Sequence, residues 1–137
     1  MIDITTIEEL QLIGNHVDYP INGEYRLYND IDATATDTWN SGAGFIPIGT
    51  YSVPFIGTLD GNGKKIINLR SRGTSAQYRG VFYNIGVGGK VYDLALTGIY
   101  VRGYVCGALT ALLSGGSVKN VYATGSVYKN TTNSNGR

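Results

Sequence analysis

An internal repeat constrains this chain more than any other feature of its sequence. The segment from Gly80 to Val101 (GVFYNIGVGGKVYDLALTGIYV) is followed by a second copy from Gly107 to Tyr128 (GALTALLSGGSVKNVYATGSVY). Six residues of the first copy recur unchanged at the equivalent positions of the second: Gly80, Gly88, Gly89, Val91, Thr97 and Gly98. A period of this length is typical of repeat architectures, in which each copy is one structural unit stacked on the next.

Within each copy the apolar residues alternate over short runs, as in Leu94 and Leu96, and glycine pairs or Thr-Gly steps separate the runs. This pattern indicates short strands joined by tight bends. An antiparallel meander and a parallel β-helix both contain such strands. Only the β-helix places equivalent side chains of successive copies directly above one another, about 4.8 Å apart. The recurrence of residue type therefore predicts an all-β fold, a parallel β-helix or solenoid.

A looser copy, GNGKKIINLRSRG, precedes these two, and in it Gly63 aligns with Gly88. Aligned in this way, the three copies predict two buried apolar stacks, Ile66/Val91/Val118 and Leu69/Leu94/Val121. They also predict a polar ladder at a bend of the chain, formed by Asn68, Asp93 and Asn120, because asparagine tolerates a positive φ and its amide can bond along the stack. We assign these positions to the scaffold rather than to chemistry.

The length of 137 residues fits a single domain. We divide it into a helical cap (1–16), an irregular first coil (17–54), repeated coils (55–128) and a polar tail (129–137), with about three to four coils in all. The predicted cap helix runs from Asp3 to Gly14, because Thr6 and Glu9 form a capping-box pattern and Gly14 is a stop signal. Such a helix would cover the exposed first coil of a solenoid.

The net charge of +1 conceals an uneven distribution. Residues 1–60 contain nine of the ten acidic residues and one base, Arg26, whereas residues 61–137 contain ten of the eleven bases and one acid, Asp93. In a stacked fold the sequence order is also the spatial order, so the two ends are expected to carry opposite charge. Head-to-tail association or capture of a polyanion on the basic half would use this arrangement, but we favour the simpler interpretation of scattered, solvated charge. The polar tail offers no apolar cap for the last coil, which predicts contact with other copies of the chain, or with further coils of a longer protein, through the C-terminal end.

Candidate binding residues are few, and we expect no catalytic residue, cofactor, metal, nucleic acid or membrane span. Tyrosine faces and nearby cations suggest a carbohydrate-binding surface, for which the candidates are Tyr92, Tyr100, Lys64, Lys65 and Arg70. Asp30 and Asp32 leave a calcium site open, although an EF-hand loop beginning at Asp30 would need glycine at Ala35 and glutamate at Ser41.

Most of the chain resembles the GLUG-motif repeat proteins of bacterial surface adhesins and filamentous haemagglutinin-like proteins. The resemblance is carried by TTIEELQLIGN, YRLYNDIDA, FIPIG, FIGTLDGNGKKIINL and GVFYNIGVGGKVYDLALTGIYV. It implies a right-handed parallel β-helix in secreted or surface-displayed proteins, in which the repeats form a stalk or an adhesive module. Tyr83 and Thr110 stand where that motif usually has its second glycine.

Three classes of function follow from these observations. The first is a noncatalytic extracellular or cell-surface module, adhesive or structural, with carbohydrate as a candidate ligand. The second is a structural subunit of a larger assembly, such as a phage fibre, a capsid decoration on the virion surface or a surface filament. The third is an enzyme of the polysaccharide lyase or glycosidase type, which would need a pair of carboxylates on one face. The repeats contain only Asp60 and Asp93 as acids, which argues against the third class. We favour the first class, because of the repeat, the C-terminal end without an apolar cap and the many tyrosines outside the predicted core stacks.

Overall fold

The computed structural model describes residues 1–130 and is dominated by strands, which confirms the prediction of an all-β fold. It contains one short α-helix, α1, and one 3-10 helix at Thr34–Gly42. The strands, in chain order, are β1 (Ile2–Ile4), β2 (Glu24–Leu27), β3 (Ile31–Asp32), β4 (Thr58–Asp60), β5 (Lys65–Ile67), β6 (Arg70–Arg72), β7 (Tyr78–Arg79), β8 (Phe82–Gly86), β9 (Lys90–Gly103), β10 (Val105–Cys106), β11 (Thr110–Ser114) and β12 (Ser117–Lys129).

Every pairing between these strands is parallel, which favours the stacked topology over the antiparallel meander. The largest sheet holds eight strands, and strand pairs β7/β10 and β8/β11 form two smaller sheets. In the largest sheet, β1, β2, β4, β9 and β12 pair successively in chain order. We call these five successive strands levels one to five. The first of them, β1, lies in the segment assigned to the helical cap.

The repeat sets the register between levels four and five. Val91 pairs with Val118 and Leu94 with Val121, as the two copies predict. The register shifts by one residue between Ala123 and Gly125, so Gly125 pairs with Ile99 rather than with Gly98. Between β8 and β11, paired residues are one position further apart in the sequence than the repeat predicts, since Phe82 pairs with Thr110. The repeat therefore fixes the order of the strands and most, but not all, of their alignment.

The alignment predicted for the earlier copy is wrong. Leu59, not Ile66, pairs with Val91, and Ile66 pairs with Leu96. Four residues separate Asp60 from Lys65 at this bend, whereas two residues separate the corresponding Tyr92 and Ala95. The longer bend moves the register, so neither Ile66 with Val91 nor Leu69 with Leu94 forms a stack.

The core lies between the strands and extends through the first four levels. Its inward-facing side chains are almost fully buried, from Ile4 in β1 to Val101 in β9. Aromatic rings continue from level to level on one side: the ring centroids of Tyr25 and Phe55 are 6.5 Å apart, and those of Phe55 and Phe82 are 4.9 Å apart. Because each inward residue is covered by the levels on either side of it, burial depends on stacking.

The α-helix α1 (Ile7–Leu12) is shorter than predicted, because Asp3 belongs to β1 and pairs with Arg26 in β2. The predicted capping box is confirmed. The Thr6 hydroxyl accepts from the Glu9 backbone N–H at 3.1 Å, and the Glu9 carboxylate accepts from the Thr6 N–H at 3.2 Å. Two residues of the helix, Ile7 and Leu10, are buried in the core.

Residues 17–54 include two of the strands. β2 and β3 lie within this range and pair in register with β4 and β5, respectively. The rest includes the 3-10 helix, whose end has left-handed backbone at Asn40 and Ser41. Of the predicted polar tail, only residues 129 and 130 are described, and Lys129 ends β12; the remainder lies outside the described residues.

Candidate functional site

The outer edge of β12 is the most distinctive surface of the molecule. β12 is 13 residues long and pairs along one edge with β9. Within residues 1–130, no strand pairs with its other edge. An unpaired edge presents a row of backbone N–H and C=O groups that can bond to another strand.

The inward side chains of β12 are also incompletely covered. In β9 the inward residues Val91, Leu94, Leu96 and Val101 are at most 2% exposed. Their partners in β12 are Val118 and Val121, which are partly buried, and Ala123 and Val127, which are exposed, Val127 to 45%. The fifth level therefore offers an apolar row together with an open strand edge.

Charge is graded along the stack. Because the levels follow one another in chain order, eight of the nine acidic residues in positions 1–60 precede level three (β4), and nine of the eleven bases lie between β4 and the end of β12. One early pair is neutralised within the stack, since Arg26 in β2 donates to the Asp3 carboxylate in β1 at 3.0 Å. At the other end, Lys119 and Lys129 are exposed on β12. The open edge is thus basic.

Only part of the predicted polar ladder forms. The Asn120 amide donates to the Asp93 carboxylate at 3.0 Å, and both residues have left-handed backbone, with φ of 53° and 54°. Asn68 does not join them; its amide donates to the Thr34 hydroxyl at 3.1 Å, at a different bend. The longer bend before β5 puts Asn62, with φ of 54°, beside Asp93, and the Gly63 N–H donates to the Asp93 carbonyl.

The candidate carbohydrate-binding residues lie on three separate segments of the strands. Tyr92 is on the first segment of β9, Lys65 pairs with Ala95 on the second, and Arg70 pairs with Tyr100 on the third. Lys64 directly precedes β5, and its carbonyl accepts from the Ala95 N–H. The structure therefore brings together Arg70 and Tyr100 but not all five residues, and carbohydrate binding by them stays a prediction.

Arg70 and Arg72, the cations next to Tyr100, already form contacts within the protein. Arg72 lies over the Tyr100 ring at 5.3 Å and donates to the Asp37 carboxylate at 2.5 Å, while Arg70 donates to the Gly98 carbonyl at 2.7 Å. The hydrogen bond and the charge of Arg72 lower the pKa of Asp37. These contacts connect the 3-10 helix to β6 and β9, which is a structural role.

Asp30 and Asp32, the residues considered for calcium, form hydrogen bonds with different partners. The Asp30 carboxylate accepts from the Lys65 N–H at 2.9 Å, and the Asp32 carboxylate accepts from the N–H and the hydroxyl of Thr34. The hydroxyl bond is the main cause of the lowered pKa of Asp32. In the described part of the chain, no group of three potential metal ligands comes together.

Arg79 is a buried cation that the sequence analysis did not select. It lies in β7 and is only 6% exposed. A signal was present in the repeat: Arg79 pairs with Cys106 in the next level, so a charged residue stands where the second copy has a small, weakly polar one.

Comparison with known proteins shows two relatives that are much longer than this chain. Halomucin of Haloquadratum walsbyi is 36% identical over 124 residues, which cover 89% of this chain and 1% of that protein. A putative Gly-rich membrane protein of Evansella cellulosilytica is 38% identical over 101 residues, which cover 71% of this chain and 12% of that protein. No family model matches the chain. No solved structure matches it either.

Proposed function

We propose that the chain is a noncatalytic, surface-displayed module with a structural function: it forms one stretch of a stalk and accepts a further strand at the outer edge of β12. The observation that carries this proposal is the difference between the inward residues of β9 and those of β12. The former are almost fully buried, and no level within residues 1–130 covers the latter. A further parallel coil would bond the open edge and bury the apolar row.

The proposed architecture is a right-handed parallel β-helix with α1 as its N-terminal cap. Support comes from the parallel pairing of successive segments in chain order and from the left-handed residues Asn62, Asp93 and Asn120 at equivalent bends. The buried residues Ile7 and Leu10 support the capping role of α1. The resemblance to GLUG-motif proteins belongs to the same proposal.

Surface display is supported by the names of the two relatives, a halomucin and a membrane protein. The chain spans only 1% and 12% of their lengths, as expected if this segment is one module of a long surface protein. Among the residues that the structure describes, no helix has the length and apolar character needed to cross a membrane.

The noncatalytic part of the proposal rests on how the carboxylates are used. Asp93 accepts from Asn120, Asp37 accepts from Arg72, and Asp30 accepts from the Lys65 backbone. Each of these bonds joins one level or segment to another. Incubation with acidic polysaccharides should release no unsaturated or reducing ends, and release of either would reject this part.

The strand-accepting role is tested with an extended chain in which a second copy of residues 107–133 follows Asn133, preserving the spacing of the repeat. We expect its melting temperature to exceed that of the original chain, because the added level buries Val118, Val121 and Val127. A control extension with the same residues in scrambled order should give no increase. An equal melting temperature for both extensions would contradict the proposal.

A second candidate, a self-assembling subunit, is favoured by the opposite charges of the early and late levels. Sedimentation at low salt should then show association that weakens as salt is raised. Val121→Lys, which places a charge in the inward row, should abolish it. Tyr122→Lys is the matched control, because Tyr122 points to the outer face and is 59% exposed. A monomer at all concentrations and salts would reject this candidate.

A further inference from the structure

Arg79 carries a buried charge without an acidic partner. Its side chain is largely removed from solvent, and this burial lowers its pKa. Among the residues that the structure describes, no carboxylate lies within ion-pairing distance of it. Burying a cation without a counter-charge is unfavourable, so such a residue usually has a compensating partner.

The neighbours of Arg79 hold the guanidinium but do not neutralise it. Nη1 donates to the Phe45 carbonyl at 3.2 Å, and Nη2 donates to Oε1 of Gln77 at 3.0 Å. A guanidinium has five N–H donors, so these two acceptors leave donors for a further partner. Two glycines make room for the side chain: a Cβ added to Gly73 would lie 2.8 Å from Nε of Arg79, and one added to Gly103 would lie 3.1 Å from its Cγ.

Arg79 lines a pocket of about 320 Å³ on the molecular surface. The pocket is also lined by Gly49, Thr50, Ala76, Tyr78 and Tyr83. Its volume is near the lower end of the range for small-molecule sites, which fits one ring rather than a long ligand.

Two tyrosines give the pocket an aromatic wall. The rings of Tyr78 and Tyr83 are stacked, with centroids 5.0 Å apart and planes 6° apart. Burial raises the pKa of Tyr83, with smaller contributions from Tyr78 and Tyr51, so its phenol is neutral at physiological pH. The Thr50 hydroxyl accepts from the Val53 N–H at 3.0 Å and retains its own hydrogen for donation.

We propose that this pocket binds a carboxylate-bearing sugar ring, with the Arg79 guanidinium on the carboxylate and the Tyr83 ring against the apolar face of the sugar. A carboxylate matches the planar fork of arginine and supplies the missing counter-charge. Tyrosine offers both a ring face and a hydroxyl to a sugar. Binding of nucleic acid would instead require a series of cations along a groove, whereas this pocket holds one buried cation.

The site is independent of strand addition at β12, because its lining residues lie between Ile46 and Tyr83. A failure of one proposal therefore does not affect the other.

The test is a titration of the isotope-labelled chain with glucuronate, followed by the backbone amide resonances. Glucuronate in the millimolar range should shift the amides of Gly49, Thr50 and Ala76 in a saturable way. Glucose, which lacks the carboxylate, should not shift them, and acetate, which lacks the ring, should bind more weakly. Absence of saturable shifts with glucuronate, or equal binding of glucose or acetate, would overturn the proposal.

Variants separate ligand binding from folding. Ala76→Glu places a carboxylate at the exposed rim of the pocket and should weaken glucuronate binding by about tenfold or more. Ala35→Glu, at another exposed alanine outside the pocket, is the matched control and should leave binding unchanged. Equal binding by both variants would contradict the proposal.

Arg79 itself is tested with two substitutions, each checked by thermal unfolding. Arg79→Gln should lose at least about tenfold in affinity, and Arg79→Lys, which keeps the charge but not the fork, should lose less. If Arg79→Gln fails to fold, the comparison of Ala76→Glu with Ala35→Glu decides the matter. Unchanged affinity in a folded Arg79→Gln variant would overturn the role of Arg79.

Discussion

The inward residues at the two ends of the stack are covered to different extents. At the N-terminal end, α1 follows β1 directly and contributes Ile7 and Leu10 to the core, and Ile4 in β1 is fully buried. At the C-terminal end, the inward residues of β12 remain partly or largely exposed, and its outer edge is unpaired among residues 1–130. Within residues 1–130, β1 also has one unpaired edge, so the difference between the two ends is that α1 covers the core at the first level and no element covers it at the fifth.

This difference shows what a level contributes to its neighbours. A strand in the stack buries only part of its inward side chains by pairing with one neighbour, and the rest of the burial comes from the level on its other side. Stability should therefore fall toward the open end. Substitutions at equivalent positions in different levels measure that gradient.

The largest effect is expected in the middle of the stack. Phe55→Ala removes a fully buried ring that lies between Tyr25 and Phe82, and it should lower the free energy of unfolding by about 3–5 kcal/mol. Denaturant unfolding measures this value. A loss below about 1 kcal/mol would mean that the aromatic row does not hold the levels together.

A matched pair of substitutions tests the open end directly. Val91 and Val118 are register partners in adjacent levels, but Val91 is 1% exposed and Val118 is only partly buried. Val91→Ala should cost about 1–3 kcal/mol of unfolding free energy, and Val118→Ala less than about 1 kcal/mol. Equal losses would show that the last level is as well covered as the one before it.

At the closed end, the capping box should make a smaller contribution. Thr6→Ala removes the side-chain acceptor for the Glu9 N–H and should cost about 1 kcal/mol. Thr6→Ser retains the hydroxyl and is the control. If both variants unfold like the original chain, α1 does not secure this end.

The smallest effect is a dependence on pH at the same cap. Hydrogen bonds from Thr5, first from its hydroxyl and then from its N–H, lower the pKa of Glu9 in the folded chain. A lowered pKa contributes stability above the pKa of the unfolded chain, and this contribution is lost as the pH falls through the folded value. The difference in melting temperature between the original chain and Glu9→Gln should therefore shrink in acid. A difference that is constant with pH would contradict this assignment.

The parts of the fold that could be predicted from the sequence are those that both copies of the repeat encode. Val91 with Val118 and Asp93 with Asn120 were correctly placed, because the two copies have nearly the same length between these positions. Asn68 was misplaced because the bend before β5 is longer than the equivalent bend in β9, and an ungapped alignment cannot represent the added length.

Other features had no counterpart in the repeat. β1 is a short strand that is defined only by its pairing with β2. β2 follows α1 in the chain, so the partner is not adjacent in sequence. The guanidinium of Arg79 bonds to Gln77, two residues away in the sequence, and to Phe45, which is 34 residues away and which only the fold brings to it. Contact of the C-terminal end with other copies of the chain or with further coils stays a prediction.

Amide hydrogen exchange tests the central claim most directly, using the chain extended by a second copy of residues 107–133. In the original chain, the amides of β12 that do not bond to β9 should exchange rapidly, while those of β9 are protected. In the extended chain, these β12 amides should become protected to a level close to that of β9, and the scrambled extension should leave them unchanged. Rapid exchange of the same amides in the extended chain would contradict the claim that the fifth level accepts a further strand.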